Sequence, residues 1–539
     1  MSIDRKIAEL RMSMDMSQER LAELLGVSRQ SVSKWEVGQT LPQIDKVVKL
    51  AEIFDVSTDE LLCDRLDISK LQTAKKKNKY FGTDGFRGEA NVELTSIHAY
   101  KIGRFLGWYY SSRLSGCSKP AYRPRIVIGK DTRRSSYMLE YSIIAGITAS
   151  GADAYMLHVT TTPSVSYVTR VDGFDCGVMV TASHNPYYDN GIKIVNSRGE
   201  KLDDDVLSLV ESYLDGDLGA LGVDGEDLPL ARRGYIGCIN DYVAGRNRYI
   251  GYLISIASNS YKSLKIGLDC ANGSSWNIAN SVFSALGAEI YLIGNEPDGL
   301  NINEDCGSTH IERLQHLVKE KRLDLGFAFD GDADRCLAVD ELGNIVDGDA
   351  IIYILAKRFK AKGTLTDDTV VATVMSNSGF IAGLRQIGIK CIETSVGDRY
   401  VYECMQKYGY AIGGEQSGHI IMKKYATTGD GILTAIMLAE EVCDSKSPLS
   451  RLTAPIKRYP QYMKSVRVRD KSATIEDSYV KAVASEVTGL INGRGRVLIR
   501  PSGTEPVIRV MVEAETEEKC VEFTEMILSA IKEGGHSIE

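Results

Sequence analysis

The sequence predicts an α/β protein of three similar units built on largely parallel strands, followed by a smaller α+β unit and preceded by an all-helical segment. Three observations carry this. After Tyr80, short β-branched and apolar runs alternate with helical stretches through polar loops. The first 65 residues lack that alternation and show short amphipathic helical patterns separated by small turns. Glycine is plentiful at 50 residues and proline scarce at 12, which suits many tight loops rather than disorder.

The length of 539 residues exceeds what one core organises and predicts about three to five domains. A formal net charge of -8 excludes a chain that wraps nucleic acid throughout, so any DNA contact is local. No run of about 18 apolar residues occurs, so no membrane span is expected. The beginning, MSIDRKIAEL, lacks the apolar stretch of a signal peptide. Eleven cysteines are scattered singly from Cys63 to Cys520 without a C-x-x-C, which predicts reduced thiols and a cytoplasmic location.

In the helical segment, Ile7, Leu10 and Met14 are spaced as one face. Ser17 is placed to cap a helix from Gln18 to Leu25, and Gly26 turns the chain. Ser28 caps a second helix through Glu36, and Gly38 stops it. A third begins at Leu41-Pro42, with Val47, Leu50 and Ala51 inward, and Asp59 to Leu62 makes a last turn. Residues 70–79, KLQTAKKKNK, read as a solvated linker, with a DNA-backbone contact as the alternative.

Strands are expected at RIVI (125–128), GVMV (177–180), KIGL (265–268), LGFAF (325–329) and TVVA (369–372). Three apolar strands run into compact polar motifs, TASHNP (181–186), DGDADR (330–335) and GEQSGH (414–419), which would gather chemistry at one cleft. The tail after about Arg458 mixes short strands and helices and carries RPSGTEP (500–506).

Each motif has a chemical reading. Ser183, on a turn at a strand end, suits a nucleophile or phosphate carrier, with His184 adjacent and Lys193 in the following NGIK. A turn serine is also commonly structural. Asp330, Asp332 and Asp334 alternate, and carboxylates so close favour a divalent cation. An EF-hand is the rival, since Glu341 falls at the twelfth position, but Arg335 stands where that loop needs glycine and a strand precedes it. Glu415, Gln416, Ser417 and His419 sit on a glycine frame able to grip sugar hydroxyls or an amine, or forming a plain loop. Arg500, Ser502, Gly503 and Thr504, with Arg509 on the next strand, read as a phosphate cradle. FGTDGFRG (81–88) is a glycine-rich loop carrying Arg87, and GKDTR (129–133) is either polar loop chemistry or a structural salt bridge.

Together, in this order, the motifs resemble the α-D-phosphohexomutase family over essentially all of residues 80–539. The finer match is to the bacterial branch that acts on phosphoglucosamine, carried by FGTDGFRG, TASHNPYYDNGIK, GLNINEDCGSTH, VGDRYV, GGEQSGH and RPSGTEPVIRVMVE, with Gln416 weighing most. The resemblance implies four domains in a heart-like arrangement, at 80–236, 237–346, 347–456 and 457–539 after a linker at 67–79. It implies a phosphorylated Ser183, and Mg²⁺ on Asp330, Asp332, Asp334 and the phosphoserine oxygen. Lys193 and Arg87 would lie near the transferring oxygen, with Lys193 a general acid/base if its pKa is lowered by a cationic site. His184 and Arg335 would orient the phosphate, Glu415, Ser417 and His419 would bind the sugar, and Arg500, Ser502, Gly503, Thr504 and Arg509 the distal phosphate. Ala333 replaces the family's usual middle glycine, so the backbone there is expected to avoid a glycine-only conformation. The implied substrate is a hexose phosphate, glucosamine 6-phosphate first, with mannose or glucose phosphate as the alternative, passing through a hexose 1,6-bisphosphate.

Residues 1–66 resemble a Cro/repressor-type helix-turn-helix domain through SQERLAELLGVSRQSVSKWEVG. That implies Gln18, Arg29, Gln30 and Lys34 at DNA, with Val32 and Trp35 in the core, and a homodimer as the arrangement operator binding would need. The segment carries more acids than bases, so a helical domain kept for dimerisation or protein contact is the other reading. For the whole chain the alternatives are an active enzyme with a DNA-binding appendage and a sugar-phosphate-sensing regulator without turnover.

Overall fold

The computed structural model describes residues 7–8, 11, 16–36, 38, 40–54, 79–82, 84–114, 123–501 and 507–538. The chain divides into two compact units, residues 1–77 and 78–539.

The first unit is helical, as its amphipathic pattern predicts. Helices span Gln18–Leu25, Arg29–Glu36 and Ile44–Phe54. Ser17 Oγ accepts from Arg20 N at 3.1 Å and Ser28 Oγ from Ser31 N at 3.2 Å, so both serines satisfy otherwise orphaned helix-start donors. Gly26 and Gly38 turn with positive φ, 65° and 71°. Leu21, Leu25, Val32, Trp35, Val47 and Leu50 form the core with Ile7. The third helix starts at Ile44, after rather than at Leu41-Pro42. The turn expected at 59–62, most of the linker, and Leu10 and Met14 lie outside the described residues.

Among the described residues, the second unit contains four sheets. Strands β1 (Phe81–Gly82), β2 (Gly85–Glu89), β3 (Arg125–Lys130), β4 (Asp153–Val159), β5 (Cys176–Val180), β6 (Asp189–Asn196) and β7 (Ile239–Asp241) order as β1-β2-β6-β5-β3-β4-β7. Strands β8 (Lys265–Asp269), β9 (Glu289–Ile293), β10 (Leu325–Phe329), β11 (Cys336–Asp340) and β12 (Ile345–Val346) order as β12-β11-β10-β8-β9. Strands β13 (Thr369–Thr373), β14 (Lys390–Thr394), β15 (Ile412–Gly414) and β16 (Ile420–Met422) order as β14-β13-β15-β16. The last sheet, β17 (Gln461–Arg467), β18 (Arg496–Pro501) and β19 (Val507–Glu513), is antiparallel.

One four-strand pattern repeats. In β6-β5-β3-β4, β11-β10-β8-β9 and β16-β15-β13-β14 the second pair and third pair are parallel and the first antiparallel. The expected parallel strands are there, and each pattern adds one antiparallel strand beside them. Each polar motif is not a strand-to-helix connection but the turn of a hairpin, and the strand after it folds back against the strand before it. The preceding strands CGVMV and LGFAF are buried at every position, which is why they read as unbroken apolar runs. The second and third sheets share one apolar core, into which helices Gly348–Ala361 and Gly431–Ser445 bury most of their surface.

Candidate active site

Ser183 sits in the β5–β6 turn, buried, with φ at +52°. That left-handed backbone costs an L-residue roughly 1–2 kcal/mol, so something must hold it. Its carbonyl accepts from Arg133 Nη2 at 3.2 Å and Asn303 Nδ2 at 2.9 Å. The same two side chains donate to Asn185 O at 2.6 and 3.0 Å. Arg133 is itself fully buried and paired with Asp131. The GKDTR loop thus acts as a brace for the serine turn.

Ser183 Oγ donates to Asp330 Oδ2 at 2.5 Å. The β10–β11 turn comes this close because residue 331 is glycine: a Cβ there would meet Ser183 O at 2.6 Å. Asp330 Oδ1 accepts from Arg335 N at 3.1 Å. Asp332 Oδ2 accepts from Thr162 Oγ1 at 2.5 Å and Lys193 Nζ at 2.8 Å, and Asp334 Oδ2 from the same Nζ at 2.9 Å. Ala333 does not avoid the glycine-favoured region. It adopts φ +55°, because the turn must present three carboxylates on one side, and its carbonyl is tied down by Gly431 N at 3.0 Å.

The three aspartates are buried, each with an oxygen within 4.8 Å of the others. Burial and then the charges of Asp334 and Asp332 push the Asp330 carboxyl well above its usual range. Asp332 Oδ1 and Asp334 Oδ1 are buried without a hydrogen-bond partner. Orphaned anionic oxygens cost on the order of 1–3 kcal/mol each, and a hard cation satisfies them. The residues fit a divalent metal ion.

Lys193 projects from β6. Burial opposes its charge, but Asp332, Asp334 and Asp84 outweigh burial and raise its pKa. The lowered value expected of it is not found, because its neighbours in the fold are carboxylates. Arg87, on β2, donates to Asp84 Oδ2 at 3.1 Å. His184 Nδ1 lies 3.0 Å from Arg335 Nη1. A guanidinium only donates, so Nδ1 accepts and the ring proton is on Nε2. Burial, Arg335 and Arg87 hold this imidazole's pKa down at about 4, so it is neutral.

From the β15–β16 turn, Glu415 Oε1 accepts from Gly397 N at 3.0 Å, and burial raises its carboxyl's pKa. Gln416 Nε2 donates to Asp347 Oδ2 at 3.3 Å, and Ser417 is exposed. His419 is buried, with Nδ1 3.6 Å from Asp334 and Nε2 3.4 Å from Asp398. Burial resists its protonation, whereas the carboxylates of Asp334, Asp398 and Glu415 favour it. Gly429 N donates to Nε2 at 3.0 Å, which opposes a second proton and leaves the first on Nδ1 toward Asp334. The fixed backbone donor decides between them, and the ring is neutral.

Arg500 on β18 stands directly opposite Arg509 on β19. Burial and Arg509 lower the Arg500 pKa. Opposed guanidiniums repel, and an anion relieves them. Ser502, Gly503 and Thr504 lie outside the described residues.

In the helical unit, Arg29, Gln30 and Lys34 are exposed on the second helix. Arg29 pairs with Glu19 at 2.9 Å. Gln18 is turned inward, donating to Glu36 Oε2 at 2.7 Å, and Glu36 is also gripped by Arg11 at 2.6 Å.

Sequence reasoning missed Thr162, Asn303, Lys201 and Asp398. Asn303 and Asp398 stood in motifs quoted without a role, while Thr162 and Lys201 gave no local signal.

The three hairpin turns bring a buried serine beside an aspartate cluster that could hold a metal ion. Family models for phosphoglucomutase/phosphomannomutase match in chain order: α/β/α domain I at residues 78–217, domain II at 247–343, domain III at 347–459 and the C-terminal domain at 463–530. A helix-turn-helix model matches residues 7–61. The phosphoglucosamine mutase of Lachnospira eligens is 56% identical over 460 residues, 85% of this chain and 100% of that protein. That of Bacillus subtilis is 48% identical over 455 residues, 84% of this chain and 98% of its own. Among solved structures, a phosphoglucomutase/phosphomannomutase family protein of Burkholderia thailandensis shares the fold at TM-score 0.68 and 20% identity, over 85% of this chain and 98% of that one. An Aspergillus fumigatus N-acetylphosphoglucosamine mutase, solved with GlcNAc-6P and magnesium, aligns at TM-score 0.59 and 17% identity, over 87% of this chain and 98% of that one. The chain belongs to the phosphoglucomutase/phosphomannomutase family and is a phosphohexomutase, an isomerase.

Proposed function

We propose that this chain interconverts glucosamine 6-phosphate and glucosamine 1-phosphate through a phosphorylated Ser183 and a glucosamine 1,6-bisphosphate. The observation that carries it is the Ser183 hydroxyl at 2.5 Å from Asp330, inside an aspartate cluster with two orphaned oxygens. The relatives named phosphoglucosamine mutase support the sugar.

Asp330, Asp332 and Asp334 would hold Mg²⁺, which when bound neutralises phosphate charge. In the first transfer the P–Oγ bond at Ser183 would break, a P–O1 bond would form, and the proton that O1 loses would restore the Oγ hydroxyl. In the second the P–O6 bond would break, P–Oγ would form again, and O6 would gain a proton from Lys193 that the proton leaving Oγ replaces. Lys193, protonated between Asp332 and Asp334, would donate to O6, and by reversibility the same nitrogen would accept in the opposite sense. Arg335 and His184 would fix the phosphate, with the neutral His184 Nε2–H as donor. Arg87 would add positive charge beside it. Glu415, Ser417 and His419 would hold the sugar. Arg500 and Arg509, with Ser502, Gly503 and Thr504, would bind whichever phosphate is not reacting, and their mutual repulsion makes that site depend on an anion. The domain limits 80–236, 237–346, 347–456 and 457–539 belong to the same proposal.

A second role concerns DNA, motivated by the helix-turn-helix match and by exposed Arg29, Gln30 and Lys34. Gln18, turned to Glu36, would have to break that bond to reach a base. A homodimer would supply two reading helices.

The test is a coupled turnover assay on the full chain with Mg²⁺, comparing glucosamine 6-phosphate with mannose 1-phosphate and glucose 1-phosphate, each with a trace of bisphosphate. Preference for the amino sugar, abolished in Ser183→Ala, is the expected result. Preference for mannose or glucose overturns the sugar assignment. No turnover by a Ser183-phosphorylated chain favours the sensor-regulator reading. Gel shifts with and without hexose phosphates test the DNA role.

A further inference from the structure

We propose that Lys201 is a positioning residue that sets the spacing between the two walls of the sugar cleft. The inference rests on the mutase reading above. Lys201 follows β6 and bridges back to Val195. Its Nζ donates to Asp84 Oδ1 at 3.0 Å and to Asp398 Oδ1 at 2.7 Å. The two carboxylates come from opposite walls: Asp84 pairs with the predicted site residue Arg87, and Asp398 begins a helix whose start contacts Glu415 and His419.

On one wall, the other Asp84 oxygen accepts from Arg87 at 3.1 Å. On the other, Asp398 begins helix Asp398–Tyr408, and its Oδ2 faces His419 at 3.4 Å. The preceding residue, Gly397, turns with φ +126° so that its N–H meets Glu415 at 3.0 Å. One ammonium therefore fixes Arg87 through Asp84, and Glu415 and His419 through the start of this helix. Without it, two carboxylates would face each other, and Asp84 would keep Arg87 as its nearest counter-charge and draw it from the cleft.

The same walls also meet farther out. Arg399 forks onto Asp204 at 2.6 and 2.7 Å, and Tyr402 Oη donates to Glu200 at 2.8 Å. These contacts touch none of the predicted site residues. Loss of Lys201 would leave the walls joined but shifted, whereas loss of Arg399 would remove a comparable ion pair and leave the site alone. The pair is an internal control for mere structural support.

The experiment measures binding of glucose 1,6-bisphosphate by calorimetry, together with KM and kcat for whichever hexose phosphate the unaltered chain turns over best. A wrong sugar assignment then shows in the unaltered chain, and a wrong role for Lys201 only in its variants. Lys201→Met is expected to weaken bisphosphate binding and raise KM at least about tenfold, the scale of a coupled charge contact. Lys201→Arg, which keeps the charge, should restore both to within about threefold, and Arg399→Ala should stay within about twofold. Asp398→Asn keeps the shape of its side chain and serves if Lys201→Met fails to fold, with the same loss expected. Equal effects of Lys201→Met and Arg399→Ala, or no recovery in Lys201→Arg, would overturn the proposal.

Discussion

Asn303→Ala isolates the brace on the serine turn. The side chain gives two hydrogen bonds, to Ser183 O at 2.9 Å and Asn185 O at 3.0 Å. Arg133 donates to the same two carbonyls, so the alanine variant leaves neither empty. The stability loss is then that of two bonds without a desolvation penalty, about 1–2 kcal/mol, plus the strain of an alanine at the φ of +60° that Asn303 adopts. The φ of +52° at Ser183 stores a similar amount, and half its restraint would be gone. The hydroxyl would sample positions off the line of transfer, and a displacement of about 1 Å costs on the order of 100-fold in rate. We expect kcat to fall between about 10- and 100-fold with KM nearly unchanged, since no sugar contact is touched. Asn303→Asp should be worse, because a carboxylate would replace the donor against two carbonyl oxygens. Steady-state kinetics and thermal melting on both variants provide the check. An alanine variant within about twofold of the parent kcat, or alanine and aspartate variants of equal rate, would refute the reasoning.

Arg500→Gln removes one of two opposed guanidiniums. It should raise KM by about 10- to 100-fold, the scale of a charge-assisted phosphate contact, without lowering the melting temperature in phosphate-free buffer. A fall in melting temperature with unchanged KM would remove Arg500 from the phosphate site. Asp349 is buried, and burial followed by Asp347 raises its pKa to about 7. A raised carboxyl pKa means the folded chain binds the proton more tightly than the unfolded one. Its stabilising effect is present at low pH and lost as pH rises from about 4 to 7. Asp349→Asn should therefore gain on the parent at pH 8 by on the order of 2 kcal/mol and not at pH 4, read by denaturant melts. An equal difference at both pH values would show that this carboxyl is not the source.

What the sequence disclosed was local. Ser183 and the three aspartates were legible because a buried strand reads as an apolar run and a polar motif at its end stands out within six residues. The helix caps at Ser17 and Ser28 were legible for the same reason. What stayed hidden depends on partners far away in the chain. Thr162 and Asp332 are 170 residues apart, and Asn303 and Ser183 are 120 apart. The direction of the Lys193 pKa could not be read from NGIK, since the charges that set it arrive from another sheet. The antiparallel strands were missed because the turn pairs Asp330-Gly331 and Ser417-Gly418 stand inside motifs whose other polar residues read as chemistry rather than as hairpins. At Ala333, an alanine in place of the family's glycine suggested an ordinary backbone, and the demand to aim three carboxylates together overrode it.

Because each motif joins two strands paired to each other, its length is fixed at both ends. In β6, Lys193 pairs with Met179 and alternates with buried Ile192 and Ile194. One residue inserted between Ser183 and Asp189 would slide that strand by a single step and exchange its faces, sending the ammonium into the core and an isoleucine toward the aspartates. The same arithmetic governs the other two turns. Drift in this protein can therefore swap residues within the motifs but hardly change their count, which makes loop length, more than any one letter, the feature that marks a chain able to do this chemistry.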